Sequence, residues 1–166
     1  MNPKIQELIA SEEKILFIFD FDWTMLEAHY GENTILGCKD DDSETLKRDL
    51  EGSAYDNVKP LKRVQKMVGD IYGNNKSVKV LTKIHNSIEV LHKMKYLHHN
   101  YPQIKIDDFI GVTQYEQKAT VLEYYSKKYD RVVYIDDYLE FILTLEDMFE
   151  DIDNIKCFHV SSLFID

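Results

Sequence analysis

Apolar positions along the chain switch between short continuous runs and helical spacing. Asn2 followed by Pro3 reads as an N-cap and first helical residue, with Ile5, Leu8 and Ile9 on one face. Ile15-Leu16-Phe17-Ile18-Phe19 is then an unbroken apolar run ending at Asp20, the pattern of a strand buried on both faces of a parallel sheet. After Pro60, the spacing of Leu61, Val64, Met67, Val68 and Ile71 predicts a helix that stops near Gly73. Val78 to Thr82 is a second strand, and Asn86 with Glu89 three residues on resembles a capping arrangement opening a helix with Ile88, Leu91 and Met94 on one face. A third strand is predicted at Asp108 to Val112 and a helix from about Glu116 to Tyr129 that buries Ala119, Leu122 and Tyr125. Arg131 to Ile135 and Ile155 to Val160 are the remaining strands. Between them a helix from Leu139 to Phe149 directs Phe141, Ile142, Leu145, Met148 and Phe149 inward. Strands alternating with helices predict an α/β fold, a parallel sheet covered on both sides with right-handed crossovers.

Residues 26–58 interrupt this rhythm. They have no sustained period, contain Gly31, Gly37 and Gly52, and hold the acidic cluster Asp40-Asp41-Asp42. The segment reads as a flap inserted into a single domain spanning 1–166, too short to be a large cap or a second domain.

With 44% apolar and 12% aromatic residues, the 166-residue chain is too hydrophobic to be disordered, and its net charge of −10 argues against nucleic acid as a partner. No apolar run approaches the ~20 residues of a membrane helix, and Met1-Asn2-Pro3-Lys4 lacks the basic and apolar regions of a signal peptide, so a cytoplasmic protein with no membrane span is expected. Cys38 and Cys157 have neither the number nor the spacing of a disulfide framework or a zinc ribbon. The acidic total hides one basic stretch: residues 59–105 carry ten basic and two acidic side chains, together with His85, His92, His98 and His99. That stretch is either an anion-facing surface or a pair of solvated Lys-rich helices.

Sites in open α/β sheets lie beyond the carboxyl ends of the strands. The first strand runs into Asp20-Phe21-Asp22-Trp23-Thr24, the second into Thr82-Lys83 and the fourth into Asp136-Asp137. Side chains two apart on an extended chain point the same way, so Asp20 and Asp22 are expected to face one space. Carboxylates gathered there, with Asp136 and Asp137 opposite, repel unless they share a cation, and an all-oxygen set suits Mg²⁺. Lys118 begins a helix that leads back into the sheet, which places it at the carboxylate edge. Lys127 and Lys128 fall roughly 13–15 Å further along that helix. A carboxylate nucleophile, a second carboxylate to move a proton, a hydroxyl and lysines to hold phosphate oxygens, and a metal together predict phosphoryl transfer. His85, near Thr82, is a further substrate-contact candidate, whereas His98-His99 read as solvated and the tyrosines from Tyr124 to Tyr138 as packing. Trp23 either walls the phosphate pocket or packs under the flap.

The ordered set Asp20-Phe21-Asp22-Trp23-Thr24, Thr82, Lys118 and Asp136-Asp137 resembles the four motifs of the haloacid dehalogenase (HAD) superfamily over residues 15 to 140. The resemblance implies a Rossmannoid three-layer sandwich with strand order 3-2-1-4-5. It implies Asp20 as the nucleophile of an aspartyl-phosphate intermediate and Asp22 as general acid then base. Thr82 and Lys118 would bind phosphate, and Asp136 and Asp137 would complete a Mg²⁺ site with Asp20 and the Asp22 backbone carbonyl; Lys83, next to Thr82, is a further phosphate-binding candidate. The short insert, Trp23 where many members have Gly, and the Asp-Asp ending resemble the small capless magnesium-dependent phosphatases. Thr82-Lys83 departs from their Ser-Arg.

The expected function is Mg²⁺-dependent phosphomonoester hydrolysis, with a phosphorylated protein as a candidate substrate. A small-metabolite or nucleotide phosphatase is the alternative within the superfamily. Outside it, a receiver-like signalling domain or a noncatalytic phospho-binding module is the competing reading. The receiver's different order of acidic pair and phospho-accepting Asp argues against the former, and four clustered carboxylates that would only cost stability without a function argue against the latter.

Overall fold

Phe19 is paired on one side with Val80 and on the other with Ile135, so the first strand is the centre of the sheet. The computed structural model describes residues 2–27, 55 and 58–164. Among these, β1 (Ile15–Phe19), β2 (Ser77–Lys83), β3 (Phe109–Val112), β4 (Arg131–Asp136) and β5 (Ile155–His159) form an all-parallel sheet in the order β3-β2-β1-β4-β5. The helices are α1 (Pro3–Ala10), α2 (Lys62–Gly73), α3 (Ser87–Asn100), α4 (Glu116–Ser126) and α5 (Leu139–Met148). This is the parallel α/β sheet that the sequence pattern predicts, in the Rossmannoid order that the resemblance implied. The predicted flap lies outside the described residues except for Leu26, Glu27, Tyr55 and Val58.

All five residues of β1 are buried, and their alternation divides the core in two. Ile15, Phe17 and Phe19 join Ile5 and Ile9 of α1, Val64, Met67, Val68 and Ile71 of α2, and Tyr96 and Leu97 of α3. Leu16 and Ile18 face Ala119 and Leu122 of α4, Leu145 of α5 and Phe149. A strand covered on both faces has no polar side, which is why this segment reads as a continuous apolar run.

Several predicted boundaries hold. The Asn2 side chain accepts from the Lys4 amide with Pro3 in the first helical position. Gly73 is the last residue of α2, and the left-handed residue that follows the helix is Asn75 (φ 57°). β5 instead ends at His159, one residue before the predicted Val160, which begins a short 3-10 helix. No described helix is long and apolar enough to cross a membrane.

Two expected faces are corrected. In α3, Ile88 and Leu91 are exposed, and the buried residues are Glu89, Lys93, Tyr96 and Leu97. Leu91 and Met94 instead line one side of a surface groove of about 300 Å³ with Leu97, Ile104, Ile106 and Phe109. In α5, Met148 is exposed although Ile142 and Leu145 are buried. Apolar spacing marks one helical face, but in α3 the inward face carries an ion pair, so the periodicity points the wrong way.

Candidate active site

The strand order reverses between β1 and β4, and beyond their carboxyl ends Asp20, Asp136, Asp137 and Lys118 come together. The Asp20 amide donates to the Ile135 carbonyl (2.8 Å), which continues the β1–β4 pairing one residue further and sets Asp20 beside Asp136. Both residues are buried. Past Asp20 the chain turns: the Met25 amide donates to the Phe21 carbonyl, and Trp23 adopts a left-handed φ of 56°. Left-handed backbone is the conformation glycine takes without strain, so Trp23 holds the turn at a steric cost.

Lys118, 1% exposed, occupies the first turn of α4. That turn is set by Gln117, whose side-chain oxygen accepts from the amides of Thr113 and Gln114, and by the Lys118 amide donating to the Tyr115 carbonyl. The Lys118 ammonium lies 2.6 Å from Asp20 Oδ1 and 3.1 Å from Asp136 Oδ2. Burial alone would lower its pKa, but the two carboxylates overcome that effect and raise it, so it stays charged. Asp136 is fixed from further sides: Oδ1 accepts from the Tyr138 amide (2.8 Å), and Oδ2 accepts from the buried Tyr134 hydroxyl.

Asp20, Asp136 and Asp137 each offer one carboxylate oxygen, all within 4.8 Å of one another. Burial pushes the Asp20 carboxyl up to about 8; the charges of Asp136 and Asp22 add to this and Lys118 opposes it. Burial and the charge of Asp136 push Asp137 up to about 6, against a hydrogen bond from Thr24 Oγ1 (3.2 Å). Carboxylates held this close resist ionising together unless a cation is shared, and three hard oxygen donors suit a small divalent ion that keeps part of its water. By donor chemistry the cluster therefore fits Mg²⁺.

Asp22 is placed differently from the expectation of a shared space. Because the chain turns instead of continuing extended, its carboxylate is outside the three-carboxylate group and pairs with Lys93 Nζ at 2.6 Å. Any contribution of Asp22 to a metal would rest on its backbone carbonyl. Thr82, fully buried, lies on the same side: Lys93 Nζ donates to Thr82 Oγ1 at 2.9 Å. Lys83 points to the other face of the sheet, where its ammonium sits 5.0 Å from the centre of the Tyr115 ring, a ring that Lys118 also approaches at 5.1 Å. The Lys83 ammonium is thus at the rim, and only its backbone carbonyl joins the cluster, accepting from Lys93 Nζ at 2.9 Å. His85 is tied to Glu89 through both its amide (2.7 Å) and Nδ1 (3.1 Å). His98 and His99 lie exposed at the end of α3.

Sequence reasoning missed Lys93, Glu89 and His159. Lys93 is completely buried and its ammonium bonds Glu89 Oε1 at 2.8 Å. A signal was present: Glu89 and Lys93 are four apart with the acid first, the favoured helical order for an ion pair. At the predicted cap, Asn86 Oδ1 accepts from the Glu89 amide, and the Glu89 carboxylate accepts from the His85 amide. His159 Nε2 meets the Asp137 carbonyl at 2.8 Å, and its Nδ1 lies 3.2 Å from the Ser161 amide, which assigns the proton to Nε2. Its position opposite Asp136 is set by the β4–β5 register, which pairs segments distant in the chain and gives no local sequence signal.

No family model matches this chain, and no curated protein matches it. Among solved structures it is similar to the HAD domain of the effector protein Lem4 from Legionella pneumophila, at 16% identity over 88% of this chain and 85% of that one, with a TM-score of 0.49.

Proposed function

We propose that this protein is a Mg²⁺-dependent phosphomonoester hydrolase that works through a covalent aspartyl-phosphate on Asp20. The observation that carries the reading is the pairing of the buried Asp20 and Asp136 with the Lys118 ammonium, with the half-buried Asp137 beside them. Asp20, Asp136 and Asp137 would hold the ion, which when bound offsets the negative charge of carboxylates and phosphate.

An Asp20 carboxylate oxygen attacks phosphorus, the bond from phosphorus to the leaving oxygen breaks, and Asp22, which enters this step protonated, delivers its proton to that oxygen and becomes a carboxylate. A water then gives a proton to Asp22 and attacks the same phosphorus. The bond to Asp20 breaks, and inorganic phosphate is released with Asp20 restored. Lys118 and the Thr82 hydroxyl hold phosphoryl oxygens during both displacements. Hydrolysis of an aryl phosphate should require Mg²⁺ and should fall by roughly three orders of magnitude or more in Asp20→Asn, which keeps the shape and removes the nucleophile. Activity of that variant within about tenfold of wild type would falsify the covalent mechanism.

The finer reading is a phosphotyrosine-bearing protein as substrate, supported by the exposure of Trp23, Tyr115 and Tyr138 around residues that touch the site. The basic stretch lends less attraction than its charge suggests: Lys93 is buried against Asp22 and Glu89, and Lys79 pairs with Asp108. Lys83 is left as the strand-end cation able to face an acidic segment. Raising salt from about 50 to about 500 mM, which shortens screening from over 10 Å to under 5 Å, should lower kcat/KM more for an acidic phosphotyrosine peptide than for a small aryl phosphate. Lys83→Glu should reproduce that selective loss. Equal salt dependence, with efficient turnover of a phosphorylated metabolite or nucleotide alone, would favour a metabolic phosphatase.

A further inference from the structure

The Lys93 ammonium has three protons and four acceptors around it: Asp22 Oδ2 at 2.6 Å, Glu89 Oε1 at 2.8 Å, and both Thr82 Oγ1 and the Lys83 carbonyl at 2.9 Å. A lysine this deeply buried needs a counter-ion. Glu89, equally buried and one helical turn away, supplies it within α3. Phe21 and Tyr55 close over the ammonium, with ring centres at 5.3 and 5.8 Å. The pair is therefore balanced by its own helix, yet the ammonium is aimed at the end of β2.

The consequence falls on Thr82. A lysine can only donate, so in its 2.9 Å bond with Lys93 Nζ the Thr82 Oγ1 accepts, and the Thr82 proton is then directed to another group. Its present acceptors are the Lys83 carbonyl at 3.2 Å and Asp22 Oδ2 at 3.4 Å. Both are longer than a normal O–H···O bond of about 2.7–2.8 Å, so the donor is poorly served. A phosphoryl oxygen arriving in the crevice is a better acceptor, being charged.

We infer that Lys93, anchored by Glu89, is a positioning residue that fixes the Thr82 hydroxyl as a hydrogen-bond donor toward the phosphoryl group. This rests on the phosphatase reading of Asp20 and adds a role that the ordered motif set does not contain. Lys93 acts through Thr82, so its effect must vanish when the hydroxyl is absent.

The test is binding of inorganic phosphate, measured by calorimetry in the presence of Mg²⁺, for wild type, Lys93→Met, Thr82→Val and the double variant. Each single change should weaken phosphate binding about tenfold, and the double variant should be no weaker than the worse single within about twofold. Losses that multiply to about a hundredfold, or Lys93→Met binding phosphate within about twofold of wild type, would overturn the inference. Because Lys93→Met leaves Glu89 buried without its cation, the same cycle is run with Glu89→Gln in every variant. If circular dichroism shows that Lys93→Met is unfolded in both backgrounds, Lys93 is structural and the inference is wrong. Wild-type protein that neither binds phosphate nor hydrolyses an aryl phosphate would instead remove the Asp20 reading itself, and this one with it.

Discussion

The Lys118 ammonium is 2.6 Å from Asp20 Oδ1 although 98 residues separate the two in the chain. The same nitrogen reaches Asp136, so one positive charge answers two carboxylates while Asp137 stands beside them. With all three carboxylates ionised, the cluster and its lysine sum to −2, the charge a divalent cation cancels. Removing Lys118 leaves two buried carboxylates without a hydrogen-bonded cation. Above about pH 8, where Asp20 is ionised, Lys118→Met should therefore lose about 3–5 kcal/mol of unfolding free energy in urea without metal, and Mg²⁺ should recover part of it. A loss below about 1 kcal/mol would mean the carboxylates are neutral in the folded protein.

Metal binding should also be visible in the intact protein. An ion that binds the folded cluster and not the unfolded chain adds roughly 2.7 kcal/mol at a hundredfold excess over its Kd. The melting temperature should rise with Mg²⁺, and Asp136→Ala with Asp137→Ala should abolish the rise. A wild-type melting curve indifferent to millimolar Mg²⁺ argues against the metal reading.

Trp23 supplies a backbone test independent of chemistry. At φ 56° a side chain costs about 1–2 kcal/mol, and a β-branched one fits worst. Trp23→Val should therefore unfold at lower urea than Trp23→Gly, by roughly 1 kcal/mol or more. Equal midpoints would show that the turn relaxes around its occupant.

Glu89 makes a pH-dependent contribution whose sign follows from its partners. Burial on its own would raise this carboxyl, but the hydrogen bond and charge of Lys93, with the His85 amide, hold it below its ordinary value of 4.5. A carboxyl depressed in the folded state stabilises above its unfolded pKa, and that stability is lost as pH falls through the folded value. Glu89→Gln should melt below wild type at pH 7, and the gap should close as pH drops below about 4.5. A gap that is constant down to about pH 3 would mean that the charge of Glu89 contributes nothing.

The strands and their ends were legible in the chain because their causes are local. An apolar run such as Ile15 to Phe19 can be satisfied only between two helical layers, and the polar residues on which such runs stop must then emerge at one edge of a parallel sheet. That logic places Asp20, Thr82, Lys118 and Asp136 in one crevice without knowledge of a single distance. It fails for α3, where Ile88 and Leu91 carry the apolar spacing yet face outward, while Glu89 and Lys93 are buried. Glu89 supplies the buried counter-ion within α3, but which way the pair faces is set by Asp22 and Thr82, 71 and 11 residues from Lys93, whose oxygens receive its remaining protons. Asp22 likewise departs from strand alternation because the turn at Trp23 carries its carboxylate to Lys93. Hydrophobic periodicity records how a segment meets an apolar core. A buried ion pair is selected by complementary groups that meet only after the chain has folded, so only the tertiary structure could settle which helical face turns toward the site.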